Sequence, residues 1–282
     1  MAATHLMSAH GMSCRRACLL MRLQRTTMVY QHVPDKNAPL REKLKELAAS
    51  FPRYGHPQLF DKVRASGMMV NHKRSERIYQ QEGLSLRKKR KKKKGQGLRE
   101  ARPVPTNANE VWSMDFVHDQ LVTGERIKCF TLIDQCTREC LALHVDHSIK
   151  GEDVANVLRR LKWQGRVPKV LLSDNGPEFI SRAMSRWAQE NGVKLFFIEP
   201  GKPTQNAFTE SFNGKLRYEC LDATCFLGLE HAKREIGNWQ RIYNEERPHS
   251  SLGRVPPKEF ARRLEEKKLN EISRDQRLRV VV

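Results

Sequence analysis

Hydrophobic and polar positions follow two different patterns along this chain of 282 residues. In the first third, apolar residues recur every three or four positions, as on one face of a helix; Leu40, Leu44 and Leu47 form such a stripe. From residue 109 onward, short apolar runs of strand length alternate with helical patterns. The two patterns predict an all-α region followed by an α/β domain.

The first 34 residues are compatible with two interpretations. Residues 11–31 are typical of a helix capped by Ser13, a break, and a second helix that starts near Arg25, which is the outline of a helix-turn-helix. A frayed amphipathic N-terminus explains so short a segment equally well. Residues 1–34 are therefore a candidate helix-turn-helix remnant.

Residues 35–86 carry clearer helix signals. Pro39 can open one helix and Pro57 another, and Gly67 is placed to end the second of them. Asn71 is typical of an N-cap, and it precedes a third helical pattern. We predict that this region is a helix-turn-helix domain that binds DNA.

The third helix of this domain is basic on one side. Three of its residues should point away from the apolar Ile78, as side chains that contact a DNA groove and its phosphates would do. These residues are Lys73, Arg74 and Arg77. A solvated helix face is the alternative, and the basic surroundings favour DNA contact.

From residue 109 to residue 262 the pattern predicts a mixed sheet. Three strands in a meander are followed by helix, strand, helix, strand and helix, an order that places helices against a partly antiparallel sheet. The predicted elements cover residues 110–121, 126–138, 139–148, 151–165, 169–176, 178–192, 193–201 and 204–221.

Three acidic residues lie where such a sheet builds ligand sites. Asp115 lies in the middle of the first strand, Asp174 ends a short buried strand, and Glu210 follows Asp174 after 35 intervening residues, within a helix. Carboxylate oxygens are the ligands that Mg²⁺ and Mn²⁺ prefer. Two such ions about 4 Å apart can activate the attacking oxygen and stabilise the leaving one in a phosphodiester displacement. These acids therefore predict a two-metal catalytic site.

Each acid also has a simpler explanation. Asp174 begins an Asp-Asn-Gly turn, Asp115 is compatible with a buried and hydrogen-bonded carboxylate, and Glu210 with an exposed helix position. Other nearby acids compete for the role: Asp119, Asp134 and Glu178. We expect Asp134 to form a turn and Asp119 to lie past the end of its strand.

Composition narrows the class of partner. The net charge of +20 predicts a polyanionic partner, and no apolar stretch approaches the roughly 20 residues that span a bilayer. Nucleic acid is therefore favoured over membrane.

The cysteine pattern indicates the compartment. Seven scattered cysteines argue against a disulfide framework, so we expect a soluble intracellular protein. A zinc site is disfavoured because its two ligand pairs would be only three residues apart; the candidates are His5, His10, Cys14 and Cys18.

A basic segment separates the two regions. Residues 87–94 are eight consecutive Lys or Arg, and like-charge repulsion prevents such a run from folding on itself. We expect residues 87–108 to be a flexible linker that clamps phosphates without sequence preference. A linker that is merely soluble is the weaker alternative.

Residues 109–262 resemble the DDE catalytic core shared by bacterial insertion-sequence transposases and retroviral integrases, which has the ribonuclease H-like fold. The motifs WSMDFV, LLSDNGPEF, PTQNAFTESFNGKLR and YNEERPHSSLGRVPPKEF are similar to the second-frame product (OrfB) of the IS-three group. Residues 53–84 also resemble the helix-turn-helix that precedes the core in that group. The resemblance covers most of residues 12–262.

The resemblance implies cleavage of strands at the ends of a mobile element and transfer of the freed 3′-hydroxyl to another phosphodiester. Asp115, Asp174 and Glu210 would ligate two Mg²⁺ or Mn²⁺ ions. Two residues on or near the helix of Glu210 would touch the DNA end or hold Glu210 in place; these are Asn206 and Arg217. Two lysines are either phosphate contacts or ordinary solvated side chains; these are Lys215 and Lys202. Asn175 and Gly176 would shape the loop beside Asp174, and no catalytic step is assigned to His249.

The resemblance also implies partners. The enzymes of this group are commonly fusions of a zipper-bearing first-frame product to the core, and no zipper heptads appear here. We expect a homo-oligomer on element ends and target DNA in the bacterial cytoplasm, associated with the nucleoid. Residues 263–282 would form a charged tail. A DNA-binding regulatory or incomplete product without autonomous activity is the alternative, and a hydrolytic nuclease of the same fold is a third.

Overall fold

The computed structural model describes residues 2–30, 35–86, 105–198 and 207–280. The helices before the sheet are α1 (Ala2–His10), α2 (Cys14–Leu20), α3 (Arg25–Val29), α4 (Ala38–Ser50), α5 (His56–Ala65) and α6 (His72–Gln81). The strands are β1 (Val111–Gln120), β2 (Arg126–Asp134), β3 (Cys140–Asp146), β4 (Val170–Ser173) and β5 (Lys194–Phe197). The helices among and after them are α7 (Gly151–Trp163), α8 (Arg182–Glu190), α9 (Ala207–Glu219), α10 (Leu229–Glu245) and α11 (Pro257–Val280).

The N-terminal helices begin at the predicted caps. The Ser13 hydroxyl accepts a hydrogen bond from the N–H of Arg16 at the start of α2. The Asn71 side chain accepts one from the N–H of Lys73, at 2.9 Å, at the start of α6. Helices α4 to α6 enclose a core of their own, which includes Leu44, Val63 and Ile78. The helical nature of this region is therefore confirmed.

The five strands form one mixed sheet in the order β3-β2-β1-β4-β5. β1 pairs antiparallel with β2 and parallel with β4, and β5 continues the parallel half. The central strand β1 therefore joins the antiparallel meander to the parallel strands, as the order of elements predicts.

Each face of the sheet is covered by a different pair of helices. Met114 on β1 belongs to a core with α7 and α8, and Phe116 packs against the same core. Val117 belongs to a second core with α9 and α10. Because side chains alternate along a strand, Asp115 faces the α9 side.

Polar contacts connect the α4–α6 unit to the α/β domain. Arg254 forms an ion pair with Asp61 at 3.0 Å, and Lys62 forms one with Glu246 at 3.3 Å. Arg53 donates a hydrogen bond to the backbone carbonyl of an α/β-domain residue, Asp222.

Three expectations differ from the structure. Asp119 lies within β1, because the pairing of β1 with β2 continues to Gln120 and Arg126. Helix α8 begins after Ser181, whose hydroxyl accepts from the N–H of Met184, and not near residue 178. The segment expected as a charged tail is part of α11 as far as Val280.

Some expectations fall outside the described residues. These are the basic run at 87–94 with most of its linker, and the positions Lys202 and Asn206. Trp112 and Trp239 are buried core residues. In the part of the chain that the structure describes, no helix has the length and apolarity needed to cross a membrane.

Candidate active site

Asp115 is held on the central strand by two hydrogen bonds to its carboxylate. Its Oδ1 accepts from the backbone N–H of Phe116 at 2.8 Å, and its Oδ2 accepts from Nδ2 of Asn213 at 2.8 Å. The Thr131 hydroxyl, directly across on β2, lies 3.2 Å from both the Asp115 carbonyl oxygen and Oδ1 of Asn213. The orientation of this carboxylate is therefore fixed from α9 and from β2.

Asp174 follows the last residue of β4, the strand parallel to β1. Its Oδ1 accepts from the backbone N–H of Gly176 at 3.1 Å. A Cβ at Gly176 would lie 3.1 Å from this same oxygen, so a side chain at that position would crowd the carboxylate. The amide of Asn175 donates to the carbonyl of Ile198, just past β5, at 3.2 Å, which anchors the loop.

Glu210 lies in the first turn of α9 and is exposed. The helix is fixed under it by Thr209, Phe212 and Leu216, which are buried against the sheet. The N-terminal end of a helix favours a negative charge, so this position suits an ionised carboxylate.

The three acids interact electrostatically. Burial, with the negative charges of Asp174 and Glu210, raises the pKa of Asp115 to about 6, against the lowering effect of the hydrogen bonds from Phe116 and Asn213. The structure therefore brings the three predicted carboxylates into one neighbourhood. Among the described residues, no three His, Cys, Asp or Glu side chains are grouped closely enough to hold a metal ion. The acids are neighbours and do not form a closed ligand cage.

The competing acids have other partners. Oδ1 of Asp134 accepts from the backbone N–H groups of Cys136 and Thr137, at 2.8 and 3.1 Å, which is the predicted turn. Glu178 forms an ion pair with Lys128. Asp134 and Glu178 are thus engaged elsewhere, whereas the charges of Asp174 and Glu210 act on Asp115.

The two basic residues predicted on α9 lie on different flanks of the helix. Arg217 shares the flank of Glu210 and donates from Nη2 to the carbonyl of His118 on β1 at 2.7 Å. Lys215 lies on the opposite flank, where its Nζ donates to the Ser211 hydroxyl at 3.0 Å. The two predicted DNA contacts therefore cannot serve one and the same surface of α9.

The basic residues of α6 are exposed on the side away from the buried Ile78. Arg74 is engaged within the unit: it donates to Oδ1 of Asn37 at 2.7 Å and to the carbonyl of Lys36 at 3.1 Å. Among the described residues, no hydrogen bond or ion pair joins Lys73, Arg74 or Arg77 to the three acids.

Asn213 was not predicted as a site residue. It lies three positions after Glu210, one helical turn, so it shares the flank that Glu210 presents to Asp115. The spacing of three residues from Glu210 would have allowed Asn213 to be predicted from the sequence. Thr131 could not be predicted in this way, because only the pairing of β1 with β2 places it opposite Asp115.

Comparison with known proteins identifies relatives. An integrase core domain model matches residues 105–203, and a second integrase core domain model matches residues 191–257. The chain is 46% identical, over 89% of its length and 91% of the relative's, to an uncharacterized 31.7 kDa protein of insertion element IS407 from Burkholderia multivorans. It is 44% identical, over 89% of its length and 72% of the relative's, to an uncharacterized 39.2 kDa protein of IS476 from Xanthomonas euvesicatoria.

More distant similarities agree. The putative transposase InsK of IS150 from Escherichia coli is 24% identical over 80% of this chain and 84% of its own. A chain in the structure of the simian T-cell lymphotropic virus intasome, in complex with a PP2A regulatory subunit, superimposes with a TM-score of 0.51 at 14% identity, covering 77% of this chain and 74% of that one. At that identity the likeness concerns the fold, which is the ribonuclease H-like fold of integrase cores.

Proposed function

Since the chain belongs to the integrase-core transposases of bacterial insertion sequences, we propose that Asp115, Asp174 and Glu210 are its catalytic residues. Its function is that of a DNA transposase or integrase, within the polynucleotidyl transferases. One observation carries the assignment: the charges of Asp174 and Glu210 act on the partly buried Asp115 carboxylate, although the three residues lie in three separate parts of the fold.

The proposed reaction is cleavage of a strand at an element end, followed by attack of the freed 3′-hydroxyl on a phosphodiester of target DNA. The donor set fits divalent metal ions in its chemistry, because three carboxylates supply the oxygen ligands that Mg²⁺ and Mn²⁺ prefer, and a positive charge would offset the repulsion that Asp174 and Glu210 exert on Asp115. The ions proposed are two Mg²⁺ or Mn²⁺, held by these acids. When bound, such ions would activate the attacking oxygen and stabilise the leaving one.

Neighbouring groups of the protein orient the acids. Asn213 fixes the Asp115 carboxylate, and the backbone N–H of Gly176 fixes that of Asp174. Within the described parts of the chain, no hydrogen bond engages the other oxygen of Asp174 or the exposed carboxylate of Glu210, so both can reach a ligand. Preorganised oxygens of this kind reduce the ordering that the reaction requires.

DNA contacts are proposed from charge and position. Arg217 lies two helical turns after Glu210 on the same flank of α9, anchored to β1, and we place it against a DNA end. The exposed Lys73 and Arg77 of α6 would contact backbone phosphates. Arg74 and Asn206 remain candidates from the sequence. The net charge of +20 supports binding to a polyanion.

The assembly proposed is a homo-oligomer on element ends and target DNA, within the bacterial cytoplasm. The named relatives belong to bacterial insertion elements, and the intasome is a viral assembly. A first-frame product with a zipper is proposed as a further subunit, since it would supply a coiled-coil contact between copies.

A strand-transfer assay tests the proposal. Labelled element-end DNA is incubated with target DNA and Mg²⁺ or Mn²⁺, using the wild type, Glu210→Gln and a matched control, Glu230→Gln. Glu230 also lies in the first helical turn of its helix and is 84% exposed. We expect joined products from the wild type and Glu230→Gln, and none from Glu210→Gln.

Other outcomes contradict the proposal in distinguishable ways. Binding without products in every protein would favour the regulatory alternative. Cleavage without joining would favour a hydrolytic nuclease. Joining that survives Glu210→Gln would remove Glu210 from the catalytic set.

A further inference from the structure

A cluster of basic side chains lies on the flank of α9 opposite the carboxylates. Arg138, in the turn between β2 and β3, places its guanidinium 3.6 Å from the centre of the Phe208 ring, in the first turn of α9. Lys215 lies on the same flank two turns further along. His249 and Arg247 approach from the segment after α10, where the His249 ring packs against Tyr243 at 4.9 Å.

The cluster has more positive than negative charge. Arg247 is neutralised by Glu219, with hydrogen bonds of 3.0, 3.0 and 2.6 Å. Arg138 and Lys215 form no ion pair with any described side chain. Asp134 is the acid whose charge acts on Arg138, and its oxygens are engaged by backbone N–H groups.

Burial and the positive charges in the cluster lower the pKa values of Lys215 and His249. Burial lowers the pKa of Lys215 to about 8; the positive charges of Arg247 and Arg138 contribute to the lowering, and the negative charge of Glu219 opposes it. Burial likewise lowers the pKa of His249 to about 3, with contributions from Arg247, Lys215 and Arg138. A bound anion would relieve the repulsion among these positive charges.

Two buried nitrogen atoms in the cluster have no hydrogen-bond partner among the residues that the structure describes. They are Nη1 of Arg138 and Nε2 of His249, and both are shielded from solvent. His249 is only 5% exposed. Buried polar atoms are almost always paired, so two unpaired nitrogen atoms in a cluster with unbalanced positive charge indicate a missing acceptor.

We propose that Arg138, Lys215 and His249 form an anion site on the far flank of α9, and that its ligand is a phosphodiester group of bound DNA. A guanidinium, an ammonium and an imidazole N–H together supply donors for the oxygens of one phosphate. The proposal rests on the proposed function, in which α9 carries a catalytic residue and lies against DNA. DNA would then contact both flanks of α9: one at the carboxylates and Arg217, the other at this site.

The site also connects DNA binding to the catalytic helix. The Arg138 guanidinium stacks on Phe208, two residues before Glu210. A phosphate bound to Arg138 would hold this stack in place and so fix the start of α9. The site is therefore a positioning site and not part of the reacting centre.

Salt dependence of DNA binding tests the site. Dissociation constants of the full chain for a duplex carrying the element's terminal repeat are measured from about 50 to 200 mM salt, a range over which phosphate contacts change affinity strongly. The variants are Arg138→Gln and Lys215→Gln, with Arg241→Gln as the control; the Arg241 side chain is 53% exposed and pairs with Glu245 and Glu246.

Each site variant should lower the slope of log Kd against log salt by about 0.9, the value for one phosphate contact. Arg241→Gln should leave the slope unchanged. Lys215→Gln keeps the test valid if Arg138→Gln does not fold, because Lys215 is only partly buried; circular dichroism checks folding.

Wild-type slopes in the folded site variants would overturn the proposal. A changed sedimentation coefficient with a wild-type slope would also overturn it, and would assign the cluster to an acidic surface of a second copy. Failure of the proposed function is seen separately, as a wild type that binds the duplex without joining it. In that case a lowered slope would still support the anion site.

Discussion

The amide of Asn213 on α9 donates to the carboxylate of Asp115 on β1, with 2.8 Å between Nδ2 and Oδ2. The other end of this amide is fixed by the Thr131 hydroxyl, 3.2 Å from Oδ1. The helix that carries Glu210 is thus joined to the strand that carries Asp115 by a polar contact as well as by packing.

Replacement of Asn213 by Ala should lower the joining rate about 10- to 100-fold, the range typical when a residue that orients a ligating carboxylate is removed. The fold should survive, because the lost contact lies at the edge of the α9 packing. Rates are measured under single turnover at saturating DNA. Asn238→Ala, at an exposed position of α10, is the control. Equal rates for the two variants would show that Asn213 does not position Asp115.

Divalent ions should stabilise the folded protein through the same carboxylates. At 100 times its dissociation constant, an ion adds about 2.7 kcal/mol to the free energy of unfolding. Differential scanning fluorimetry with Mg²⁺ should therefore give a rise of several degrees in Tm that EDTA reverses. Asp115→Asn should abolish the rise and Asp119→Asn should keep it. An equal rise in both variants would place the ion elsewhere.

The stability of the fold should depend on pH through His249. Burial and nearby cations lower its pKa to about 3, below the usual value near 6.5. The neutral imidazole is thus favoured in the folded state. Its contribution to stability is present above pH 6.5 and is lost as the pH falls from 6.5 toward 3.

The expected loss in the free energy of unfolding follows from the lowered pKa of His249. Between pH 7 and pH 5, the wild type should lose about 2 kcal/mol more of its free energy of unfolding than His249→Gln, which does not titrate. Urea unfolding at both pH values measures the difference. Parallel losses in the two proteins would mean that His249 is not held neutral by the fold.

The ion pair of Arg247 with Glu219, at the end of α9, should stabilise the folded protein. Its side chains are 9% and 5% exposed, so removal of one partner leaves a buried charge alone. Arg247→Met should cost about 3–5 kcal/mol, and the double variant Arg247→Met with Glu219→Leu should cost less than this. Arg241→Met, from an exposed pair, should cost about 1 kcal/mol or less. Additive costs in the double-mutant cycle would contradict the coupling.

Local patterns were sufficient to predict most of the sheet and its acids. The strand around Asp115 and the turn after Asp174 are each signalled by a few adjacent residues, and both are found in the structure. The expectation that Asp119 lies past the end of its strand was wrong, because the polar residues around Asp119 are kept in β1 by pairing with β2. Such pairing depends on residues that are distant in sequence.

The contacts around the acids were harder to predict for the same reason. Asn213 shares a helical flank with Glu210 and was within reach of a spacing argument, whereas Thr131 meets Asp115 only through strand pairing. The cluster of Arg138, Lys215 and His249 joins three segments of the fold, and each residue alone looks like an ordinary polar position. Their shared burial is visible only in three dimensions.

The central claim is that Asp115, Asp174 and Glu210 together carry the joining reaction. It is tested most directly by end joining with Asp115→Asn, Asp174→Asn and Glu210→Gln, each compared with Asp119→Asn, an acid four residues from Asp115 on the same strand. With labelled element ends, target DNA and Mg²⁺, we expect joined product from the wild type and Asp119→Asn and none from the three triad variants. Joined product at the wild-type level from any folded triad variant would contradict the claim.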